Sequence, residues 1–122
     1  MKGNENSGYV VVYSRDGSSW ELLQTITETS RTHGFGSALA LSSDCKVLSI
    51  GANERNTSMS GYVQIYDLDA DASKFKQLST LTGDTGGGGF GHSVSISAGS
   101  VAAGAPYHNG DSGQLKIYNS SA

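Results

Sequence analysis

The chain holds a single cysteine, Cys45, and a single proline, Pro106, among its 122 residues. One thiol cannot close an internal disulfide, so the fold must be held by packing or by assembly. No histidine neighbours Cys45, and its place between two apolar runs reads as a hairpin turn rather than a reactive thiol. Charge is sparse as well: the 8 Lys and Arg form no block, and the net charge is -3. Gripping a phosphate backbone needs a clustered basic face, so no nucleic-acid partner is expected. No apolar run approaches the ~20 residues of a membrane span, so no membrane insertion is expected. The first residues, Met1-Lys2-Gly3-Asn4-Glu5-Asn6, lack an apolar stretch, so no signal peptide is expected in this chain.

What the chain does have is glycine, 17 residues of it, and 36% hydrophobic residues gathered in short runs. That pattern fits strands joined by turns and not a disordered chain. The runs repeat. Ser7-Gly8-Tyr9-Val10-Val11-Val12-Tyr13 returns as Ser60-Gly61-Tyr62-Val63-Gln64-Ile65-Tyr66, and again as Ser112-Gly113-Gln114-Leu115-Lys116-Ile117-Tyr118. Trp20-Glu21-Leu22-Leu23-Gln24-Thr25-Ile26-Thr27 matches Phe75-Lys76-Gln77-Leu78-Ser79-Thr80-Leu81-Thr82. Gly34-Phe35-Gly36 matches Gly89-Phe90-Gly91, and Val47-Leu48-Ser49-Ile50-Gly51-Ala52-Asn53 matches Ser100-Val101-Ala102-Ala103-Gly104-Ala105-Pro106.

Four short strands in every ~50 residues is the spacing of a propeller blade. The expected fold is therefore all-β, in four-stranded antiparallel blades of a β-propeller, with an incomplete set of blades in one chain. Residues 7–34 supply an outer strand pair, 35–89 one complete blade, and 90–118 three strands of a further blade. Small residues fill the Phe-Gly and Gly-Ala strands, which suits the crowded axis. Bulk at Tyr9, Tyr13, Trp20, Tyr62, Tyr66, Phe75 and Tyr118 suits the wider outer strands. The expected order from inside to outside is the Phe-Gly strand, the Gly-Ala strand, the Ser-Gly-Tyr strand and the Trp/Phe strand.

Phe35-Gly36 with Gly51-Ala52, and Phe90-Gly91 with Gly104-Ala105-Pro106, resemble FG-GAP repeats, the blades of integrin α-like β-propellers. The resemblance covers nearly the whole chain. Asn53 departs from it where a proline is expected. It implies a binding or adhesion role at the cell surface or outside the cell. Many repeats of that family hold Ca²⁺ in an Asp-rich loop between the two elements. Here that segment has Asp44 in the first copy and no acid in the second, too few ligands for a hard cation, so no metal and no cofactor are expected.

Other motifs dissolve on inspection. Gly110-Asp111-Ser112-Gly113 looks like a serine-protease nucleophile, but Ser112-Gly113 is the recurring entry to a strand. Asp67-Leu68-Asp69-Ala70-Asp71 opens like an EF-hand, yet Ala72 and Leu78 occupy its glycine and glutamate positions; a hairpin turn is the better reading, with weak Ca²⁺ binding the alternative. Gly86-Gly87-Gly88-Gly89 leads into a strand and not into the helix that a phosphate loop requires. His92 lies on an inner strand, where packing or a buried hydrogen bond is expected. Asn56-Thr57-Ser58 and Asn119-Ser120-Ser121 are glycosylation sequons, relevant only on the secretory route.

Strand alternation places the connections between strands two and three, and between successive blades, on one face. That face gathers Arg31, His33, Arg55, Asn56, Asp84, Tyr107, His108 and Asn109, the candidate partner-binding residues, because function concentrates on loops held by a rigid scaffold. No catalytic set is apparent, so the chain reads as a non-catalytic module for a protein or glycan partner and not as an enzyme. Two alternatives stand beside it. Copies of the chain could form a homo-oligomeric ring, three giving about six blades and four about eight, with the third strand present twice at each junction. Or the chain could be the propeller part of a larger hydrolase.

Overall fold

A computed structural model describes residues 8–28, 34–53, 60–84 and 88–119. The chain is all-β with antiparallel sheets and one short helical turn. A two-stranded sheet pairs β1 (Tyr9–Asp16) with β2 (Ser19–Thr27). A four-stranded sheet follows the order β3 (Phe35–Leu41), β4 (Val47–Ala52), β5 (Tyr62–Asp69), β6 (Lys74–Thr82). A three-stranded sheet runs β7 (Ser93–Ser97), β8 (Ser100–Ala105), β9 (Gln114–Asn119), with the turn α1 (His108–Asp111) between the last two. The position of each strand in its sheet therefore follows its position in the repeat.

The hairpins explain themselves locally. Gly17 turns β1 into β2 at a φ of 64°, a conformation glycine adopts without strain. In the β3–β4 hairpin the Ser42 hydroxyl accepts the backbone N–H groups of Lys46 and Val47 and donates to Asp44. Cys45 sits exposed in that turn. Asp69 caps the β5–β6 hairpin by accepting the N–H of Asp71. A bulge falls between Val12 and Tyr13 in the first sheet and between Ile65 and Tyr66 in the second, which are equivalent points of the repeat.

The Phe-Gly motif is a turn. The N–H of Ser37 donates to the carbonyl of Gly34, and that of His92 to the carbonyl of Gly89. Each turn therefore has Phe and then Gly at its centre, with Gly36 and Gly91 at φ of 89° and 93°. A turn with its third residue left-handed requires glycine there. β7 begins only after this turn, at Ser93, while β3 includes Phe35.

The three sheets stack face to face. One core joins Val10 and Ile26 of the first sheet to Phe35, Leu48, Ile50, Ala52, Tyr66 and Phe75 of the second. The other joins Val63 and Ile65 of the second sheet to Phe90, Val101, Ala103 and Ala105 around the third. β4 and β5 are thus covered on both faces, which is why their burial is nearly continuous and not alternating. The sheets touch backbone to backbone at glycines. A Cβ on Gly8 would lie 2.0 Å from the carbonyl oxygen of Phe35, and one on Gly61 2.2 Å from that of Phe90. Gly8 and Gly61, each just ahead of a tyrosine strand, thus dock on the Phe-Gly turn of the next sheet at both junctions.

The expectation that the outer aromatics all fill space between sheets holds only in part. Tyr66 and Phe75 are buried, whereas Tyr9, Tyr13 and Trp20 are exposed. Their repeat positions aim them at the face of the first sheet away from the second, where among the described residues no further sheet covers them and only Arg15 lies over the Trp20 ring, 5.8 Å from its centroid. Leu115 and Ile117, the counterparts of the buried Val63 and Ile65, are exposed at the other end of the stack for the same reason.

Candidate functional site

Antiparallel pairing puts the hairpins at one end of the stack and the longer connections at the other. Arg31, His33, Arg55 and Asn56 lie outside the described residues. Asp84, Tyr107, His108 and Asn109 lie in two adjoining connections at the loop end, one after β6 and one after β8.

Asp84 accepts hydrogen bonds from Lys116 Nζ and, at 3.1 Å, from Gln114 Nε2, both on β9. The Lys116 hydrogen bond, then that of Gln114, holds the Asp84 carboxyl below its ordinary range, with a smaller charge contribution from His108. The same hydrogen bond pushes Lys116 up. One junction earlier, Gln64 Nε2 donates to Glu28 at 3.4 Å. An acid beyond the outermost strand of one sheet thus reaches the third strand of the next at both junctions. Lys116 and Gln114 were not among the candidates read from the sequence. The signal was there in the repeat, since Lys116 aligns with Gln64 and Val11 and so faces the preceding sheet.

Tyr107 holds Gly88 and Gly89, at the end of the glycine-rich connection. Its N–H donates to the carbonyl of Gly88 at 2.9 Å, and its ring covers Gly89 so closely that a Cβ there would sit 2.8 Å from Tyr107 Cδ2. His92 meets the same ring edge-on, at 6.1 Å between centroids. His92 is exposed and precedes β7, so the buried place on an inner strand expected for it is not what the structure has; the Phe-Gly turn displaces it from the strand.

The connection after Tyr107 is tightly wound. Asn109, Gly110 and Asp111 all have positive φ, at 53°, 67° and 71°. Three left-handed residues in a row are tolerated because Asn, Gly and Asp are the types that reach this region most readily. Ser112 Oγ donates to the carbonyl of Asn109 at 2.9 Å and also lies within reach of the His108 carbonyl, so its hydroxyl closes the turn. The loop end therefore presents an ion pair, an imidazole, a phenol and an exposed amide on a frame fixed by two sheets. Such a set recognises polar ligands by hydrogen bonding.

A groove of about 610 Å³ lies at the opposite, hairpin end, between the second and third sheets, and contains none of the candidate residues. Among the described residues no group of three or more His, Cys, Asp or Glu is placed to hold a metal ion. No helix there is long and apolar enough to cross a membrane. Comparison with models of protein families and with curated proteins finds no match to the chain.

Proposed function

We propose that the chain is a β-propeller segment of the FG-GAP type and serves as a non-catalytic binding module whose loop end takes a protein or glycan partner. The observation that carries this reading is the recurrence of one sheet-to-sheet junction. The glycine that precedes Tyr9, and again the one that precedes Tyr62, meets the Phe-Gly turn of the next sheet by the same close approach, and at both junctions an acid beyond the outermost strand ties to the third strand of the next sheet. Sheets of uniform strand order, joined by identical junctions, are the way a propeller is built. The described part of the loop end supports the binding role because Tyr107 holds Gly88 and Gly89 and a left-handed run fixes the turn after it, and binding residues favour loops fixed by a rigid scaffold.

The test is solid-phase binding of the full chain to a panel of immobilised glycans and extracellular-matrix proteins, beside two variants. His108→Ala/Asn109→Ala alters the loop end, and Asp44→Ala/Lys46→Ala alters the hairpin end. Binding to a panel member that the first variant loses and the second keeps is the expected result. Binding that tracks the hairpin end instead, or no binding across the panel, would count against the reading.

A further inference from the structure

The connection after β8 holds the one Asn-Gly pair of the sequence, Asn109-Gly110. A glycine after asparagine leaves the peptide nitrogen between them unshielded by a side chain, and that nitrogen can attack the asparagine side-chain carbonyl. Both residues are exposed, and among the described residues a Cβ on Gly110 would meet nothing within 4 Å. Solvent access and space for a ring are therefore present. The backbone stands against the reaction. Ring closure needs the Gly110 nitrogen on the same side of the Asn109 Cα–C bond as Cβ, so that nitrogen and Cγ can meet. Asn109 has φ 53° and ψ 57°, and that ψ puts the Gly110 nitrogen on the far side of the bond from Cβ. Rotation about the bond offers no placement less suited to attack.

The turn holds that conformation by several bonds. Gly110 and Asp111 continue the left-handed run, and Ser112 Oγ donates to the Asn109 carbonyl at 2.9 Å. The N–H groups of Ser112 and Gly113 both donate to the His108 carbonyl, the second at 3.1 Å. We propose that Asn109 is a deamidation site kept latent by this turn, with water as its only co-reactant. When the turn opens and ψ rotates, the Gly110 nitrogen bonds to Cγ, the Cγ–Nδ2 bond breaks, and the Gly110 proton leaves with Nδ2 as ammonia. Water then opens the imide. Attack at Cγ leaves an aspartate. Attack at the main-chain carbonyl breaks its bond to the Gly110 nitrogen and leaves an isoaspartate, whose chain runs through Cβ. Nothing is oxidised or reduced. Either product sets a new carboxylate near Asp111, and the isoaspartate adds a methylene to the main chain that the left-handed run cannot absorb. The step is one-way, so the loop end keeps a record of having opened. This chemistry is independent of whether the loop end binds a partner.

The full chain is held at mildly alkaline pH, folded and in urea, and conversion of each asparagine is followed by peptide mapping with mass spectrometry. In urea Asn109 should convert first. In the folded chain it should convert at least about tenfold more slowly, because reaction waits for local opening. Ser112→Ala removes one hydrogen bond that closes the turn and should raise the folded-state rate about two- to tenfold. Gln24→Ala weakens the distant first junction and should leave the rate unchanged, because the turn opens without unfolding of the sheets. The proposal is overturned if another asparagine converts first in urea, if folded and unfolded chains convert alike, if Ser112→Ala fails to quicken the reaction, or if Gln24→Ala quickens it as much.

Discussion

Replacing Gly61 by Ala tests the glycine approach that joins the sheets. The new Cβ would lie 2.2 Å from the carbonyl oxygen and 3.0 Å from the nitrogen of Phe90, backbone atoms that cannot rotate away. Relief requires the second and third sheets to part, and overpacking of this kind costs roughly 1–3 kcal/mol. Gly61 also has a φ of 83°, and holding a residue with a Cβ in the left-handed region costs roughly 1–2 kcal/mol more. The sum, about 2–5 kcal/mol, is a large fraction of the ~5–15 kcal/mol by which a domain is stable. Gly17→Ala is the control. It shares the positive φ, at 64°, but meets nothing within 4 Å. Urea unfolding followed by far-ultraviolet circular dichroism should place Gly61→Ala at least about 1 kcal/mol below Gly17→Ala, the difference being the packing cost alone. Equal destabilisation by the two substitutions would refute the argument that backbone contact at Gly61 fixes the spacing of the sheets.

Three further outcomes follow from named atoms. Gln24→Ala removes both hydrogen bonds to Phe75 and should cost about 1–3 kcal/mol in the same unfolding assay. Ser49 is fully buried on β4 with no hydrogen-bond partner for its Oγ among the described residues, so Ser49→Ala should leave stability unchanged or raise it, by urea midpoint. Asp84 titrates below the ordinary carboxylate value, so its tie to Lys116 and Gln114 contributes above the unfolded-state pKa and is lost as pH falls through the lower folded value. An NMR titration should show this depressed pKa, and Lys116→Met should move it upward.

Much of this architecture was legible because the repeat carries positional information. Aligning Gly8 with Gly61, and Phe35 with Phe90, assigned each strand its place in a sheet. Alternation within β5 then told which side chains face which neighbour. Burial was less legible, because a residue's direction is local while its cover is not. Trp20 and Phe75 are equivalent in sequence, yet Phe75 is buried and Trp20 is 65% exposed, since only Phe75 has a described sheet in front of it. At the loop end, Tyr107 and His108 were visible as unusual residues in a connection. Lys116 was not, because a lysine within an alternating strand reads as solvent-facing until the acid at Asp84 is brought beside it.

Three sheets stack through one repeated junction, and nuclear Overhauser contacts between sheets read that stacking without a substitution. Gly36 approaches Val10 Cγ2 at the first junction, and Gly91 approaches the Gly51 Cα at the second. Cross-peaks are expected from the Gly36 α-protons to a Val10 methyl and from the Gly91 to the Gly51 α-protons, in the same sample. Their absence at either junction, in a folded chain with its strands intact, would contradict it.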